Sequence, residues 1–290
     1  MIHSTWDNWF VRNVVENARV NGLSAWYLGC NGLIVRTPET TLYIDPYFAD
    51  GDPPNIIRMI PVPMDPSDAT DCDAVFVTHE HIDHMHPPSF LPLVGECGAT
   101  VYAPEAAYEK PDYNGDFAIS SDKRTKVTSG ETYEVGDLTV HVRAANDPDA
   151  IEPVSYVIEH DSGTLFHGGD SRPADSFHEV GEAFDIDIGY LALGSVGRIR
   201  YPERDATEVT RWYMDENQII EATNQLQLTR LAPTHYDMWR GVGTDPKGLI
   251  EHARSFEYPR SIEPIQIGDR LDARKAGILS DTSFSRSHWV

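Results

Sequence analysis

Short apolar runs separated by Gly, Pro and Asp recur along most of the chain and predict many buried β-strands. Two longer stretches turn at Gly136-Asp137 and at Asp161-Ser162-Gly163, which predicts a hairpin at each place. The predicted strands fall in residues 24–37, 40–47, 74–78, 99–104, 131–145, 154–170, 185–194 and 228–239.

Three segments have the apolar spacing of helices, namely residues 4–18, 205–225 and 245–256. Ser4 or Thr5 can cap the first of these helices. The Pro-rich residues 51–73 predict an irregular surface loop. Strands come first, then strands mixed with helices, and the order repeats. This order predicts one α/β domain over residues 1–290, with two β-rich halves, an N-terminal helix and a polar C-terminal tail.

A polar loop follows the short apolar strand and contains His79, His81, Asp83 and His84. Imidazole and carboxylate groups are the usual ligands of zinc, iron and manganese. Residues two apart on an extended stretch point the same way, so His79 and His81 can bind one metal ion. Asp83 and His84 follow the turn and can reach a second ion about 3.5–4 Å away. The spacing therefore predicts a site for two divalent cations.

The sequence "THEHIDH" after an apolar strand resembles the metal-binding motif of the metallo-β-lactamase superfamily. Further blocks between residues 24 and 255 resemble one branch of that superfamily, the ascorbate phosphate lactonase-like hydrolases. In chain order they are "AWYLGCNGLIVRTPETTLYIDPYF", "VSYVIEHDSGTLFHGGDS", "IDIGYLALGS" and "APTHYDMW". The resemblance implies an α/β fold, the four-layer αββα sandwich, with the metal site along one edge of the two sheets.

The resemblance also implies which residues bind the metal ions. His79 and His81 are expected to bind the first ion. The second ion is expected to be bound by Asp83, His84 and His235. Asp170 is expected to bind both ions. Asp170 in "HGGD" and His235 in "PTHYD" each follow an apolar strand. Residues of a functional site are commonly found in such loops.

One position departs from the superfamily pattern, because no histidine precedes the strand at 154–159 to complete the first site. The lactonase-like branch also has an aspartate at this position, which falls on Asp147. Asp147 precedes Pro148, so a turn residue is the alternative interpretation. An added carboxylate makes the site harder and shifts its preference from zinc toward manganese. The expected cofactors are therefore two divalent metal ions, zinc or manganese.

Two cations at these residues could activate a hydroxide that attacks an ester or lactone carbonyl, which predicts a hydrolase. The resemblance implies a sugar acid or its phosphate as the substrate. Asp83 and Asp170 are the predicted catalytic residues, and Asp83 is also the candidate acceptor of the water proton. Four residues are candidates for binding the small-molecule substrate: Arg198, Arg200, Tyr236 and Trp239. The arginines suit a phosphate or carboxylate, with surface ion pairing as the alternative explanation.

Three other functions are compatible with the sequence. A phosphodiesterase on the same scaffold would act on small phosphodiesters or cyclic nucleotides. A diiron redox protein would usually have glutamate at the position of His81, together with an added flavin domain. A non-catalytic binding module with an impaired metal site belongs to a different class. Metal content and hydrolysis assays discriminate among them.

Charge and composition narrow the range of partners. Asp and Glu number 46 against 23 Lys and Arg, and the formal net charge of −23 disfavours binding to nucleic acid. The acids are dispersed, which raises the hypothesis of adaptation to high salt. No segment has the pattern of a targeting peptide or a membrane span, so we expect a cytoplasmic protein, with a homo-oligomer left open. Three scattered cysteines, Cys30, Cys72 and Cys97, are interpreted as small buried side chains.

Overall fold

The computed structural model describes residues 2, 4–53, 56–115, 119–194, 196–201 and 205–275, with only the backbone at 199–201. The strands, in chain order, are β1 (Ser24–Gly29), β2 (Gly32–Arg36), β3 (Thr41–Ile44), β4 (Gly51–Asp52), β5 (Ile56–Ile57), β6 (Ala74–Phe76), β7 (Thr100–Ala103), β8 (Arg124–Lys126), β9 (Thr132–Val135), β10 (Leu138–Ala144), β11 (Val154–His160), β12 (Gly163–His167), β13 (Ile188–Ala192), β14 (Gly197–Tyr201), β15 (Ala206–Thr210), β16 (Arg230–Thr234), β17 (Ser261–Ile262) and β18 (Arg270–Asp272). The α-helices are α1 (Pro87–Glu96), α2 (Glu105–Glu109), α3 (Asp175–Ala183), α4 (Glu216–Gln225) and α5 (Gly248–Ala253). Three further helical segments are not α-helices: the π-helical Phe10–Glu16 and the 3₁₀ turns Pro66–Asp68 and Ser121–Lys123.

Two seven-stranded sheets form the centre of the fold. The first has the order β18-β1-β2-β3-β6-β7-β8, and the second has the order β17-β16-β13-β12-β11-β10-β9. Strands β3, β6, β7 and β8 run parallel, and so do β12, β13, β16 and β17. The other neighbours pair antiparallel. Two small hairpins, β4-β5 and β14-β15, form separate two-stranded sheets.

Three hydrophobic clusters define the layers, because alternate residues of a strand face opposite sides of a sheet. On β1, Tyr27 packs in the cluster between the sheets, whereas Trp26 and Leu28 pack in the cluster shared with α1. On β12, Leu165 faces the central cluster and Phe166 faces the cluster shared with α3 and α4. Helices therefore cover the outer face of each sheet, which confirms the predicted αββα sandwich.

The prediction of one helix over residues 205–225 is wrong. Ala206–Thr210 forms β15, where β-branched residues favour a strand, and α4 begins only after Asp215. The Asp215 carboxylate accepts a hydrogen bond from the Gln218 backbone amide, and the Gln218 side chain accepts one from the Asp215 amide. This capping box fixes the start of α4 after the hairpin.

The N-terminal helix is shorter than the predicted residues 4–18. It is a π-helical segment over Phe10–Glu16. The preceding residue, Trp9, makes no side-chain capping hydrogen bond. Ser4 forms a local turn instead, in which its hydroxyl accepts a hydrogen bond from the Trp6 amide and donates one to the Asp7 carbonyl.

The other predicted elements compare with the structure as follows. Both predicted hairpins are present as β9-β10 and β11-β12. The predicted loop 51–73 contains β4, β5 and one helical turn. Within the described residues, no helix combines the length and the apolar character that spanning a bilayer requires. The predicted polar tail, residues 281–290, lies outside the described part of the chain.

Candidate metal centre

Loops from both sheets bring polar side chains to one edge of the sandwich. In the first sheet, β3 ends before Asp45, and β6 leads into the loop of His79. In the second sheet, β12 leads to Asp170 and β16 ends before His235. The connection between β10 and β11 adds Asp147. Functional side chains on loops held by a rigid scaffold are typical of binding sites and active sites.

A first group of four side chains can hold a cation: His79, His81, Asp147 and Asp170. One ligand atom from each lies within 4.8 Å of the others. Asp147 Oδ2 is 3.6 Å from both His79 Nε2 and His81 Nδ1. The structure thus places Asp147 beside the two histidines, while its role as a metal ligand stays a prediction.

A second group lies next to the first and consists of Cys30, Asp83, His84 and His235, with ligand atoms again within 4.8 Å of one another. Asp83 Oδ2 is 3.2 Å from His235 Nε2, and Asp83 Oδ1 is 3.8 Å from His84 Nε2. Three of these residues were candidates from the sequence. Cys30 was not, because a cysteine in a turn after a buried strand has the pattern of an ordinary core residue.

Asp170 lies between the two groups. Its Oδ2 atom is 3.3 Å from His84 Nε2, and its Oδ1 atom is 3.7 Å from His235 Nε2. It also belongs to the group that contains His79 and His81. Asp170 therefore lies within reach of both groups, while the bridging role that the family resemblance implies for it stays a prediction.

Asp45 is a buried carboxylate whose role the sequence did not reveal, since Asp45-Pro46 reads as a turn. It accepts hydrogen bonds from the Thr78 amide at 2.8 Å, the Thr78 hydroxyl at 2.7 Å and His84 Nδ1 at 2.8 Å. In the neutral imidazole that binds a metal ion, a proton held on Nδ1 leaves His84 Nε2 as the nitrogen with a lone pair. That Nε2 atom is buried and has no hydrogen-bond partner. Asp45 therefore orients His84 toward the second group.

Asn31 positions Asp170 in a similar way. Asn31 Nδ2 donates to Asp170 Oδ1 at 2.5 Å, and the Thr234 hydroxyl donates to Asn31 Oδ1 at 2.5 Å. His167 lies 2.8 Å from the Asn31 carbonyl through its Nε2 atom. The buried His167 thus supports the Asn31 turn, and this hydrogen bond does not involve a member of either group. The contacts link a turn of the first sheet to two loops of the second.

Glu80 is buried, with 3% of its surface exposed, although it lies between two candidate ligands in sequence. Its Oε1 atom accepts a hydrogen bond from the Ile151 backbone amide at 2.7 Å. The side chain therefore connects the loop of His79 to the segment that carries Asp147. This contact helps to hold the two parts of the first group together.

The donor set fits divalent cations on electrostatic grounds. Burial and the nearby carboxylate of Asp170 raise the pKa of Asp147 to about 6. Burial alone would lower the pKa of His84, but the carboxylates of Asp170, Asp45 and Asp83 raise it well above its ordinary value. Both shifts reflect an excess of buried negative charge, which positive charge would compensate.

Three residues of the site have left-handed backbone conformations that are uncommon outside glycine. The φ angles are 59° at Cys30, 42° at Asp45 and 63° at His235. Such conformations carry a cost of about 1–3 kcal/mol each and cluster at functional sites. Cys30 and His235 belong to the second group and Asp45 contacts its member His84, which supports a functional role for this edge of the fold.

Two of the candidates for substrate binding follow β16 in the loop of His235. The Trp239 ring centroid is 6.4 Å from that of His235, and Trp239 Nε1 donates to the Tyr213 hydroxyl at 3.1 Å. Tyr213 itself stacks on His235 at 4.1 Å and was not predicted from the sequence. The Tyr236 hydroxyl donates to the Ile265 carbonyl, so this geometry does not support its use in substrate binding.

Arg198 and Arg200, the other two candidates, lie on β14 of the small hairpin. Arg198 is exposed, and the side chain of Arg200 lies outside the described atoms. A role for these arginines in binding an anionic substrate stays a prediction.

Comparison with known proteins identifies the family. Residues 40–236 match the family described as a β-lactamase superfamily domain. The chain belongs to the metallo-β-lactamase superfamily. The resemblance seen in the sequence is thereby confirmed, and the chain is a hydrolase of the metallo-β-lactamase fold.

The individual relatives of this metallo-β-lactamase superfamily member described below are at most 23% identical to it. A protein of Salmonella gallinarum named as a probable L-ascorbate-6-phosphate lactonase is 23% identical, over 84% of this chain and 78% of the relative. Among solved structures, the metallo hydrolase Igni18 of Ignicoccus hospitalis aligns with a TM-score of 0.63 at 17% identity, over 86% of this chain and 97% of that one. The diiron β-hydroxylase CmlA of Streptomyces venezuelae aligns with a TM-score of 0.60 at 17% identity, over 89% and 55%. These structural likenesses show the shared fold.

Proposed function

We propose that this hydrolase opens an ester or lactone bond in a small molecule, with a sugar acid or its phosphate as the substrate class. The observation that carries the proposal is the meeting of two cation-binding groups at Asp170, which is 3.3 Å from His84 Nε2 and also belongs to the group of His79 and His81. The name of the Salmonella relative supports a lactone rather than another ester.

Each candidate ligand has a definite part in this proposal. His79, His81 and Asp147 would hold one cation, and Asp83, His84 and His235 the other, with Asp170 shared between them. Two divalent cations bound there would lower the pKa of a water molecule and polarise the substrate carbonyl.

Other residues of the chain orient these ligands, and one ligand is the candidate acceptor of the proton from the attacking water. Asp45 keeps a proton on His84 Nδ1, and Asn31 fixes the orientation of Asp170. A carboxylate oxygen of Asp83 is the candidate acceptor for the proton of the attacking water. Trp239, beside His235, is the candidate to contact the substrate and to exclude solvent.

Charge supports a small substrate. A net charge of −23 repels long polyanions such as nucleic acid, while a small anion experiences mainly the local field of the site. Zinc and manganese both suit the first group of imidazoles and carboxylates. The phosphodiesterase alternative concerns only small phosphodiesters and differs from the proposal in substrate, not in scaffold.

The test combines metal content with a panel of sugar lactones, simple esters and small phosphodiesters. We expect close to two ions per chain and preferential turnover of lactones. His81→Ala and Asp170→Ala should abolish turnover without unfolding the chain. His178→Ala and Asp185→Ala change the same residue types at exposed positions and serve as matched controls with full activity.

Three outcomes would contradict parts of the proposal. Full activity in His81→Ala or Asp170→Ala would overturn the site. Turnover of phosphodiesters without lactones would overturn the substrate class and favour the phosphodiesterase. Fewer than two tightly bound ions, together with no hydrolysis of any substrate, would favour the non-catalytic binding module.

A further inference from the structure

We propose that Cys30 is a thiolate ligand of the second cation, beside Asp83, His84 and His235. The inference rests on the proposed function only in requiring that a cation binds this group. Cys30 Sγ lies 3.0 Å from His235 Nε2 and 3.3 Å from Asp83 Oδ2. The side chain is fully buried, at 0% exposure.

The distances are slightly shorter than those between ligands of one ion. In a tetrahedral zinc site with Zn–S of about 2.3 Å and Zn–N of about 2.0–2.1 Å, neighbouring ligand atoms are roughly 3.3–3.6 Å apart. Cys30 Sγ, His235 Nε2 and Asp83 Oδ2 form a triangle with sides of 3.0, 3.3 and 3.2 Å. A small expansion of this triangle around an ion would bring all three separations into that range.

The backbone holds the thiol at this place. The Cys30 carbonyl accepts hydrogen bonds from the Tyr27 hydroxyl at 2.9 Å and from the His235 amide at 3.1 Å. The φ angle of 59° at Cys30 is left-handed, a conformation that non-glycine residues rarely adopt. These contacts join the β1-β2 turn directly to the loop of His235 and so fix the position of Cys30 relative to His235.

The second group also contains a buried polar atom without a hydrogen-bond partner. His84 Nε2 is buried without a hydrogen-bond partner, and it lies 3.8 Å from Asp83 Oδ1 and 3.3 Å from Asp170 Oδ2. Its other nitrogen is already engaged by Asp45. A cation bound in the same group as Cys30 would give this buried nitrogen the partner that it lacks.

A thiolate ligand changes the chemistry of the second position. Thiolates are soft ligands that favour zinc and cobalt over manganese. Binding of the cation would break the S–H bond of Cys30, and the proton would leave to solvent. The first group, which has Asp147 and two imidazoles, stays compatible with manganese. The two positions should therefore differ in metal preference.

The experiment uses cobalt as a spectroscopic substitute in the full chain after metal removal. Ligand-field bands in the visible report cobalt in either group, and a sulfur-to-cobalt charge-transfer band in the near-ultraviolet reports a thiolate ligand. We expect both sets of bands in the unaltered protein. In Cys30→Ser the charge-transfer band should disappear, and zinc binding should release about one proton fewer per chain.

Two controls make the result specific to Cys30. Cys72 and Cys97 have their sulfur atoms next to the Ala74 and Ala69 carbonyls, in another cluster. The double variant Cys72→Ser/Cys97→Ser, in which Cys30 is the remaining cysteine, should keep the charge-transfer band. This variant tests the inference even if Cys30→Ser does not fold.

The outcomes separate this inference from the proposed function. Visible bands without a charge-transfer band in the unaltered protein would overturn the role of Cys30 and leave the cation site intact. A charge-transfer band that survives in Cys30→Ser, or that is lost in the double variant, would also overturn it. Absence of every cobalt band would instead overturn the cation site on which the proposed function depends.

Discussion

Replacement of Asp45 by asparagine tests whether this buried carboxylate selects the tautomer of His84. In the native site, Asp45 Oδ1 accepts from the Thr78 amide, while Oδ2 accepts from the Thr78 hydroxyl and His84 Nδ1. Asparagine can keep the bond to the Thr78 amide, but its NH₂ group would then face His84 Nδ1. The imidazole must give up its Nδ1 proton and carry the proton on Nε2, which blocks the lone pair toward the second group.

The expected magnitude follows from this single change of tautomer. Loss of the partner that orients a metal-binding histidine typically lowers metal affinity by about 10–100-fold, which corresponds to about 1.4–2.8 kcal/mol. The altered hydrogen bonds should lower the free energy of unfolding of the metal-free protein by about 1–3 kcal/mol. Zinc affinity would be measured by competition with a chromophoric chelator, and unfolding by urea titration.

Asp187→Asn is the matched control. Asp187 is also buried and accepts a backbone hydrogen bond, from Thr164 at 2.8 Å, but it lies at the opposite end of β12 from Asp170. We expect it to lose stability without losing zinc affinity. If Asp45→Asn bound two ions as tightly as the unaltered protein, or if both variants lost affinity equally, the tautomer argument would be refuted.

Three further predictions concern stability. Removal of bound metal with a chelator should lower the thermal midpoint by several degrees, since ligand at 1,000 times its Kd adds about 4.1 kcal/mol to the folded state; an unchanged midpoint would contradict the cation site. Added salt should raise the urea midpoint, because it screens repulsion at a net charge of −23; a maximum in dilute buffer would contradict this. Burial raises the pKa of Asp137, but hydrogen bonds from the hydroxyl groups of Thr37 and Thr40 outweigh burial and lower it. Asp137→Asn should therefore lower the free energy of unfolding by about 1 kcal/mol at neutral pH. That cost should shrink as pH falls from about 3.9, the ordinary pKa of an aspartate in the unfolded chain, through the lower pKa of the folded Asp137 carboxylate; a cost independent of pH would refute the assignment.

The parts of the site that the sequence predicted share a local pattern. His79, His81, Asp83 and His84 lie within six residues after one buried strand, so their proximity follows from the chain itself. Asp170 and His235 follow apolar strands of another sheet, and their proximity depends on how the two sheets pack. The family resemblance supplied that packing, which hydrophobic periodicity alone does not specify.

Cys30, Asp45 and Asn31 were missed for a physical reason. Each lies in a turn between short strands, where cysteine, aspartate and asparagine are ordinary residues. Their importance depends on partners more than 30 residues away, such as His84 for Asp45 and His235 for Cys30. Only the three-dimensional contacts distinguish these turn residues from any others.

The error at residues 205–225 has a different origin. The sequence "ATEVT" contains three β-branched residues, which favours a strand, while Asp215 and Gln218 have the spacing of a capping box. Both signals place the start of α4 after Asp215, whereas apolar spacing alone does not mark where a helix begins. Helix starts are better placed at a capping residue than at the first apolar position.

Each cation group takes ligands from both sheets, so its geometry depends on their packing. The Tyr156 hydroxyl donates to the Val77 carbonyl at 2.6 Å, and the Val154 amide donates to the Thr78 carbonyl at 3.0 Å. These bonds connect β11 to the strand end that carries His79. An unfolded chain cannot reproduce this arrangement, so cations should bind mainly to the folded state. Metal affinity and the free energy of unfolding are therefore linked, and substitutions between the sheets should change both together.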